Sequence, residues 1–383
     1  MTSGEDGLRV VIDCLVLGER PSGVERAVAG LLEGIAQEKP RGQRFTAIVV
    51  PRAEAELPVS SEIGAVSAPG WTQSRGGRVG YEQVFLPRVA ESLGADLLHG
   101  AAFVLPLRWR GRSVVTIHDT ITLSQPQWCK RLNRLHYGMV MTRSARRADA
   151  VVVPSEFART EVVEQIGVVP ERVHVAPLGV GRQFRPAGED ELERVRGAYA
   201  LPDRYLLCVG NVEPRKNLEG VIAAFERVAK RLPHGLVIAG KRGWRCAGAC
   251  AAMANSAFAD RILWLDWVPH EDIRALYSGA DLLVQWSLHE GFGLTPLEAM
   301  ACGTPAVVSD RGALPEVAGW GGRIVPLETG PEGLSEAFAE LLDDSSMLEE
   351  MSVRGRRHAA GFTWNAHAQI VASVYREVAG ARQ

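Results

Sequence analysis

Short apolar runs alternate with stretches of helical period from one end of the chain to the other. That alternation is the pattern of parallel strands buried on both faces by crossover helices. In the first half, Leu8 to Leu17 reads as a strand, Val24 to Glu38 as an amphipathic helix and Phe45 to Val50 as the next strand. The runs Leu97 to His99, Ser113 to His118 and Ala150 to Pro154 continue the set. A second series opens with Tyr205 to Gly210 and a helix from Asn217 to about Arg231. Strands are then expected at Gly235 to Gly240, Ile262 to Val268, Asp281 to Trp286 and Ala306 to Ser309.

At 383 residues the chain exceeds one ordinary core and suits two domains of ~150–200 residues each. Breakers cluster from Pro177 to Gly188, and Leu201-Pro202 immediately precedes the second series. The sequence therefore predicts a first doubly wound α/β domain over residues 1–180, a linker over 181–202 and a second over 203–362, with a closing helical segment over 363–383. Two such halves are expected to face one another across a cleft at the carboxyl ends of their strands, where ligands bind in these sheets.

A hydrophobic content of 46% and a formal charge of −2 describe a soluble globular protein without the basic field that nucleic acid requires. Cys14, Cys129, Cys208, Cys246, Cys250 and Cys302 are scattered, several in apolar strand-like runs, which suits buried thiols better than a disulfide framework. Cys246 and Cys250 lack a partner pair at zinc-site spacing, so no metal is expected. The first residues are polar and acidic, and no apolar run approaches the ~20 residues of a membrane span. A cytoplasmic location is the expectation. The basic stretch 130–147, with Lys130, Arg131, Arg134, Arg143, Arg146 and Arg147 around Leu132, Leu135, Met139 and Val140, suits a solvated helix face, and also weak peripheral contact with the inner face of a membrane.

Trp286 to Pro305 carries the densest chemistry. Glu290 stands at the end of a strand, Gly291-Phe292-Gly293-Leu294 forms a turn, and Glu298 follows in the first turn of the next helix. Backbone N–H groups of Gly291 to Leu294 and the helix start at Thr295-Pro296 make a positive pocket suited to a diphosphate, while the two carboxylates accept hydrogen bonds from hydroxyls. This reads as a site for a sugar attached to a nucleotide. Thr295-x-x-Glu298 also fits a capping box with Pro296 at the first helical position, and one carboxylate can serve both purposes. Upstream, Arg215 and Lys216 lie between a strand and a helix with Asn217 as its expected N-cap. Cations there oppose the helix dipole unless an anion binds between them; the bland alternative is a pair of solvated surface charges.

Glu290 through seven residues to Glu298, followed by Ala-Met-Ala-Cys-Gly-Thr-Pro and then Ser309-Asp310-x-Gly312-x-x-x-Glu316, resembles the donor-binding signature of the retaining glycosyltransferases of family four, which have the GT-B fold. The resemblance spans nearly the whole chain and is strongest from Gly210 to Glu316. It implies transfer of a hexose from a nucleotide diphosphate sugar to a hydroxyl of a glycan, lipid-linked sugar or small metabolite, with no cofactor and no essential metal. It also implies that Arg215 and Lys216 clamp the leaving diphosphate, that Glu290 and residues 291–294 hold the sugar, and that Glu298 holds the ribose. His118-Asp119 matches the family's His-Asp pair at the sugar site, and the loop Pro21-Ser22-Gly23-Val24 matches its glycine-bearing turn beside the donor phosphates. Val268, in Asp266-Trp267-Val268-Pro269, matches the segment whose backbone reads the nucleobase. Gly243-Trp244 leans toward the mannosyltransferase-like branch and hence toward a guanosine-diphosphate-linked mannose. The terminal helix is implied to cross back onto the first domain.

This chain has Asn211 where many relatives carry Arg, and Gln285-Trp286 where they more often have Pro-Ser. Rival readings are a sugar-nucleotide epimerase of the same fold, a phosphorylase, for which no pyridoxal phosphate signature is present, and a non-catalytic nucleotide-sugar-binding assembly partner. A dinucleotide dehydrogenase fits poorly, because the first strand–turn–helix lacks Gly-x-Gly-x-x-Gly. The nucleobase, the acceptor and the oligomeric state stay open at this level.

Overall fold

The apolar runs become two sheets, each in its own unit, and every strand pairing among the described residues is parallel. The computed structural model describes residues 7–18, 22–56, 63–129 and 131–381. The first unit comprises Met1–Pro126, Arg131–Gly179 and Thr363–Gln383, and the second Gln127–Lys130 and Val180–Phe362.

In the first unit the strands are β1 (Leu8–Asp13), β2 (Gln43–Val49), β3 (Ile63–Ser67), β4 (Leu97–Gly100), β5 (Arg112–Thr116), β6 (Ala150–Val153) and β7 (Val173–Val175). Their order across the sheet is β3-β2-β1-β4-β5-β6-β7. In the second unit β8 (Tyr205–Val209), β9 (Gly235–Ala239), β10 (Ile262–Asp266), β11 (Leu282–Gln285), β12 (Ala306–Ser309) and β13 (Arg323–Val325) take the order β10-β9-β8-β11-β12-β13. Both sheets reverse direction of winding beside their first strand, between β1 and β4 and between β8 and β11. Such a reversal splays the two flanking crossover loops apart and opens a crevice at the carboxyl ends of the strands.

The fold class is the one the alternation predicts. Several strands end earlier than their apolar runs, as in β1 at Asp13 and β5 at Thr116, because the last residues of each run enter a loop. The strands β3, β7 and β13 were not expected. All three lie at a sheet edge, where β3 is half-buried or exposed throughout, and β7 and β13 have only three residues each, so no continuous apolar run announces them. The expected linker 181–202 is also different: it belongs to the second unit and contains a helix, Glu189–Tyr199. Three acidic residues in its first turn suit the helix dipole. It is tied to the helix His270–Ser278 by the Arg194–Asp272 ion pair at 2.7 Å, by Tyr199 Oη donating to Asp272 at 2.5 Å, and by the Arg274–Glu191 pair.

The last helix, Trp364–Gly380, is built into the first unit and packs along the helix Gly23–Glu38. Ala368, Val371, Val374, Tyr375 and Val378 join the core of that sheet. Polar ties fix its register: the buried His99 bonds Tyr375 Oη through Nδ1 at 2.6 Å and Thr116 Oγ1 through Nε2 at 2.8 Å, and Gln43 Nε2 donates to Ala372 O at 2.9 Å. Burial holds the His99 imidazole down at about 3, so these bonds belong to a neutral ring.

The two helices approach so closely that Gly30 and Gly34 are the only size that fits. A Cβ on Gly34 would stand 2.1 Å from Trp364 O, and one on Gly30 2.2 Å from the Trp364 ring. Gly34→Ala is therefore expected to destabilise the protein by roughly 1–3 kcal/mol, the usual scale of overpacking, and urea unfolding of the variant beside the wild type measures it.

Candidate functional site

The loops that follow β8 and β11 meet at the winding reversal of the second sheet. After β8, a single turn of 3₁₀ helix, Pro214–Lys216, presents two successive cations. Asn217 then adopts a left-handed conformation at φ 51° and turns the chain into the helix Leu218–Ala229, a role asparagine tolerates better than most residues. It occupies the N-cap position as expected but does not cap with its side chain; Nδ2 reaches instead to Trp286 O at 3.4 Å. Opposite, the Leu288 N–H donates to Arg215 O at 2.7 Å, so one loop's backbone sets the height of the other.

That alignment brings Arg215, Lys216 and Glu290 together. Lys216 Nζ donates to Glu290 Oε1 at 2.7 Å, and an Arg215 guanidinium nitrogen reaches the same oxygen at 2.7 Å. Arg215 Nε also holds Glu213 at 3.2 Å. Burial raises the Glu290 carboxyl, but the Arg215 and Lys216 charges outweigh it and bring the group down to about 2. Burial pushes the Lys216 ammonium below its ordinary range, with Glu290 pulling the other way and Arg215 adding to the depression. Lys216 is mostly buried and Arg215 a quarter exposed, and both converge on one carboxylate oxygen, so an anion with several oxygens offers them more acceptors than Glu290 does.

The Glu290 backbone is held from below. Ala313 N–H donates to Glu290 O at 2.9 Å, and Gly312 at φ +64° lies so close that a Cβ would stand 2.3 Å from that oxygen. The turn Gly291, Phe292 and Gly293 is buried and feeds the helix Leu294–Ala301. Gly293 is its N-cap, at φ 118°. The helix thus starts one residue before Thr295, and the expected capping box is absent: no side chain caps this helix, and Pro296 sits beyond its first position. Glu298 is instead buried, with Oε2 accepting from Tyr277 Oη at 3.0 Å. Tyr277 lies on another helix, His270–Ser278, and nothing in the sequence near Glu298 points to it.

Val268 lies in the loop between β10 and that helix, beside the half-exposed Trp267. In the first unit, Gly23 is the first residue of the helix Gly23–Glu38, with open space where a Cβ would project; Pro21 falls outside the described residues. His118 follows β5 and is buried, its Nε2 donating to Ala101 O at 3.0 Å. Burial brings the ring down to about 4, so it is neutral at physiological pH. The Asp119 carboxylate accepts from Ile121 N–H at 3.1 Å and so shapes the next turn.

In the basic stretch, Arg146 donates to Ile166 O at 2.7 Å and Arg147 to Leu107 O and Trp109 O, the latter at 3.1 Å. Those two cations serve the fold. Lys130 and the side chains of Arg131, Leu132, Arg134 and Leu135 fall outside the described residues. None of the six cysteines, all among the described residues, is in a disulfide. Among the described residues, no helix is long and apolar enough to cross a membrane.

Two units, each built on a parallel sheet of Rossmann type, give the chain the fold class of the GT-B glycosyltransferases. The profile of Glycosyl transferases group 1 matches residues 190–358, and that of Glycosyltransferase Family 4 matches residues 21–184. The O-antigen chain mannosyltransferase B of Escherichia coli is 31% identical over 70% of this chain and 71% of its own. The MMP alpha-(1->4)-mannosyltransferase of Mycolicibacterium hassiacum is 29% identical over 75% and 69%. The serotype-specific mannosyltransferase WbdA of Escherichia coli is 29% identical over 66% of this chain, which spans 32% of that longer protein. Among solved structures, sucrose-phosphate synthase of Thermosynechococcus elongatus superposes with a TM-score of 0.75 at 20% identity, covering 97% of this chain and 98% of its own. Anabaena HepE, in complex with UDP and glucose, gives 0.75 at 16%, covering 97% and 100%. The chain belongs to glycosyltransferase family 4.

The Glu290 cluster makes stability depend on acid in a definite direction. A carboxyl lowered from 4.5 to about 2 on folding contributes stability that is complete above 4.5 and lost as pH falls through 2. Glu290→Gln is expected to be less stable than the wild type near neutral pH, with the gap closing between about pH 4.5 and 2. Urea unfolding of both proteins across that range measures it.

Proposed function

We propose that this enzyme transfers a hexose from a nucleotide diphosphate sugar, in first place GDP-mannose, to an acceptor hydroxyl, with retention of the anomeric configuration. The observation that carries this reading is the capture of one Glu290 oxygen by both Arg215 and Lys216 at the winding reversal of the second sheet. A diphosphate carries the charge to draw both cations from Glu290. Its remaining contacts come from the backbone N–H groups of residues 291–294 at the start of an eight-residue helix. Glu290, relieved of its partners, then accepts from hydroxyls of the hexose, and Glu298, steadied by Tyr277, accepts from the ribose.

Departure of the diphosphate builds negative charge beside the buried Lys216 and the partly exposed Arg215, so their interaction strengthens as the bond breaks. The acceptor oxygen attacks on the face the diphosphate leaves, and a phosphate oxygen takes its proton. With its ring held down to about 4 by burial and its Nε2 given to Ala101 O, His118 is a weak base, and it lines the sugar site without a proton-transfer role. Protein cations perform the charge stabilisation that a metal would otherwise supply. The mannose assignment rests on the mannosyltransferases among the relatives and on Gly243-Trp244. The acceptor is a glycan, a lipid-linked sugar or a small metabolite. A lipid-linked acceptor would bring this cytoplasmic enzyme to the inner face of a membrane by peripheral contact.

A panel of nucleotide sugars tests the reading by thermal shift, since a ligand bound only by the folded state raises its melting temperature. GDP-mannose is expected to stabilise, and a panel without any stabilising donor would remove the assignment. With the donor in hand, Lys216→Ala should lower turnover about 10²–10³-fold, the scale of losing one preorganised charge-stabilising donor, while conversion of donor without acceptor would mark an epimerase instead.

A further inference from the structure

Strand β11 alternates in an unusual way. Val284 and Trp286 face the core beneath the helix Leu218–Ala229, and Trp286 Nε1 donates to Val325 O at 2.9 Å. Alternation sends Gln285 to the opposite face of the strand, and the extended residues after it carry Ser287 the same way. Both are enclosed, at 5% and 0% exposure. Neither Gln285 Oε1 nor Ser287 Oγ has a hydrogen-bond partner among the described residues. A buried polar atom without a partner costs stability that an apolar side chain of the same shape would not. Two of them, two residues apart in one strand end, are too local to be scattered packing faults.

Their place in the fold supplies a reason. Leu283 pairs with Leu207, so two residues further along each strand Gln285 comes level with Val209, where the β8 loop toward Lys216 begins. Ser287 Oγ leans toward the Glu290 carboxylate and helps hold it low, but no well-formed hydrogen bond joins the two. Its own carbonyl is fixed by Ser309 Oγ at 2.6 Å, which leaves the hydroxyl as the adjustable group. An amide oxygen takes only a hydrogen-bond donor. Phosphate oxygens cannot supply one; sugar hydroxyls can.

We propose that Gln285 and Ser287 form a polar subsite beside Glu290 that receives a hydroxyl of the transferred hexose and so takes part in choosing the donor sugar. This assignment rests on the nucleotide-sugar reading of the same site. Donor binding draws Arg215 and Lys216 onto the diphosphate and opens the Glu290 side of the subsite to the sugar.

Titration calorimetry of wild type, Gln285→Leu and Ser287→Ala tests it. The probes are GDP-mannose against GDP, or UDP-glucose against UDP if that pair is the one the wild type binds. Gln285→Leu is expected to keep or raise the melting temperature, to bind the sugar nucleotide at least about tenfold more weakly and to bind the bare nucleoside diphosphate within about twofold. Ser287→Ala, the smaller change, should move the same way. Unchanged affinity for both probes in a stabilised variant would make the orphan amide a packing feature and overturn the assignment. Equal weakening of both probes would overturn it as well, since the hexose would then not be what is read. A wild type that binds no nucleotide sugar of the panel defeats the nucleotide-sugar reading itself, and this subsite with it.

Discussion

The site depends on one backbone hydrogen bond, from Leu288 N–H to Arg215 O. It joins the two crossover loops that the sheet order drives apart, and it does so where the first loop carries its cations and the second its acid. Asn217 Nδ2 adds a longer tie to Trp286 O at 3.4 Å between the same two loops. With these ties, the ion pairs form across two loops held at fixed height, and Gly312 can press against the Glu290 backbone because the position of that backbone is already determined. Sheet topology supplies the opening, and this bond sets its width.

The resulting cluster has a split personality that suits a transferase. In the free protein the acid and the cations satisfy one another, which makes their burial tolerable. In the reacting state their duties separate, cations to phosphate and acid to sugar. Glu298 follows a different logic: it is buried deeper, and its carboxylate is steadied by a tyrosine from another helix. One carboxylate is held by charge and is exchangeable; the other is held by a neutral donor and keeps its partner.

Much of this was legible in the chain. The alternation of apolar runs and helical stretches announces two parallel sheets, because strands buried on both faces must be apolar throughout. Glu290, Arg215 and Lys216 were visible as charges at strand ends, where a fold of this kind leaves room for them. The pairing of those charges with each other was not visible, since it depends on a contact between loops about seventy residues apart in sequence, as the Lys216–Glu290 separation of 74 shows. The capping box at Thr295 was a local rule overruled by Gly293, whose left-handed backbone starts the helix one residue sooner. Short edge strands and the helix in the supposed linker escaped because polar, partly exposed elements carry little periodic signal. Tyr277 escaped because a tyrosine on an amphipathic helix looks like any other core residue.

The terminal helix sets an order of events in synthesis. Residues 180–362 form the second unit almost without interruption and can collapse as soon as they emerge. The first unit, although made first, lacks one wall of its hydrophobic interior until the segment from Thr363 onward arrives. Nascent chains thus wait with strands β1 to β7 incompletely covered, and a stop codon shortly before Trp364 would cripple the half of the protein translated earliest.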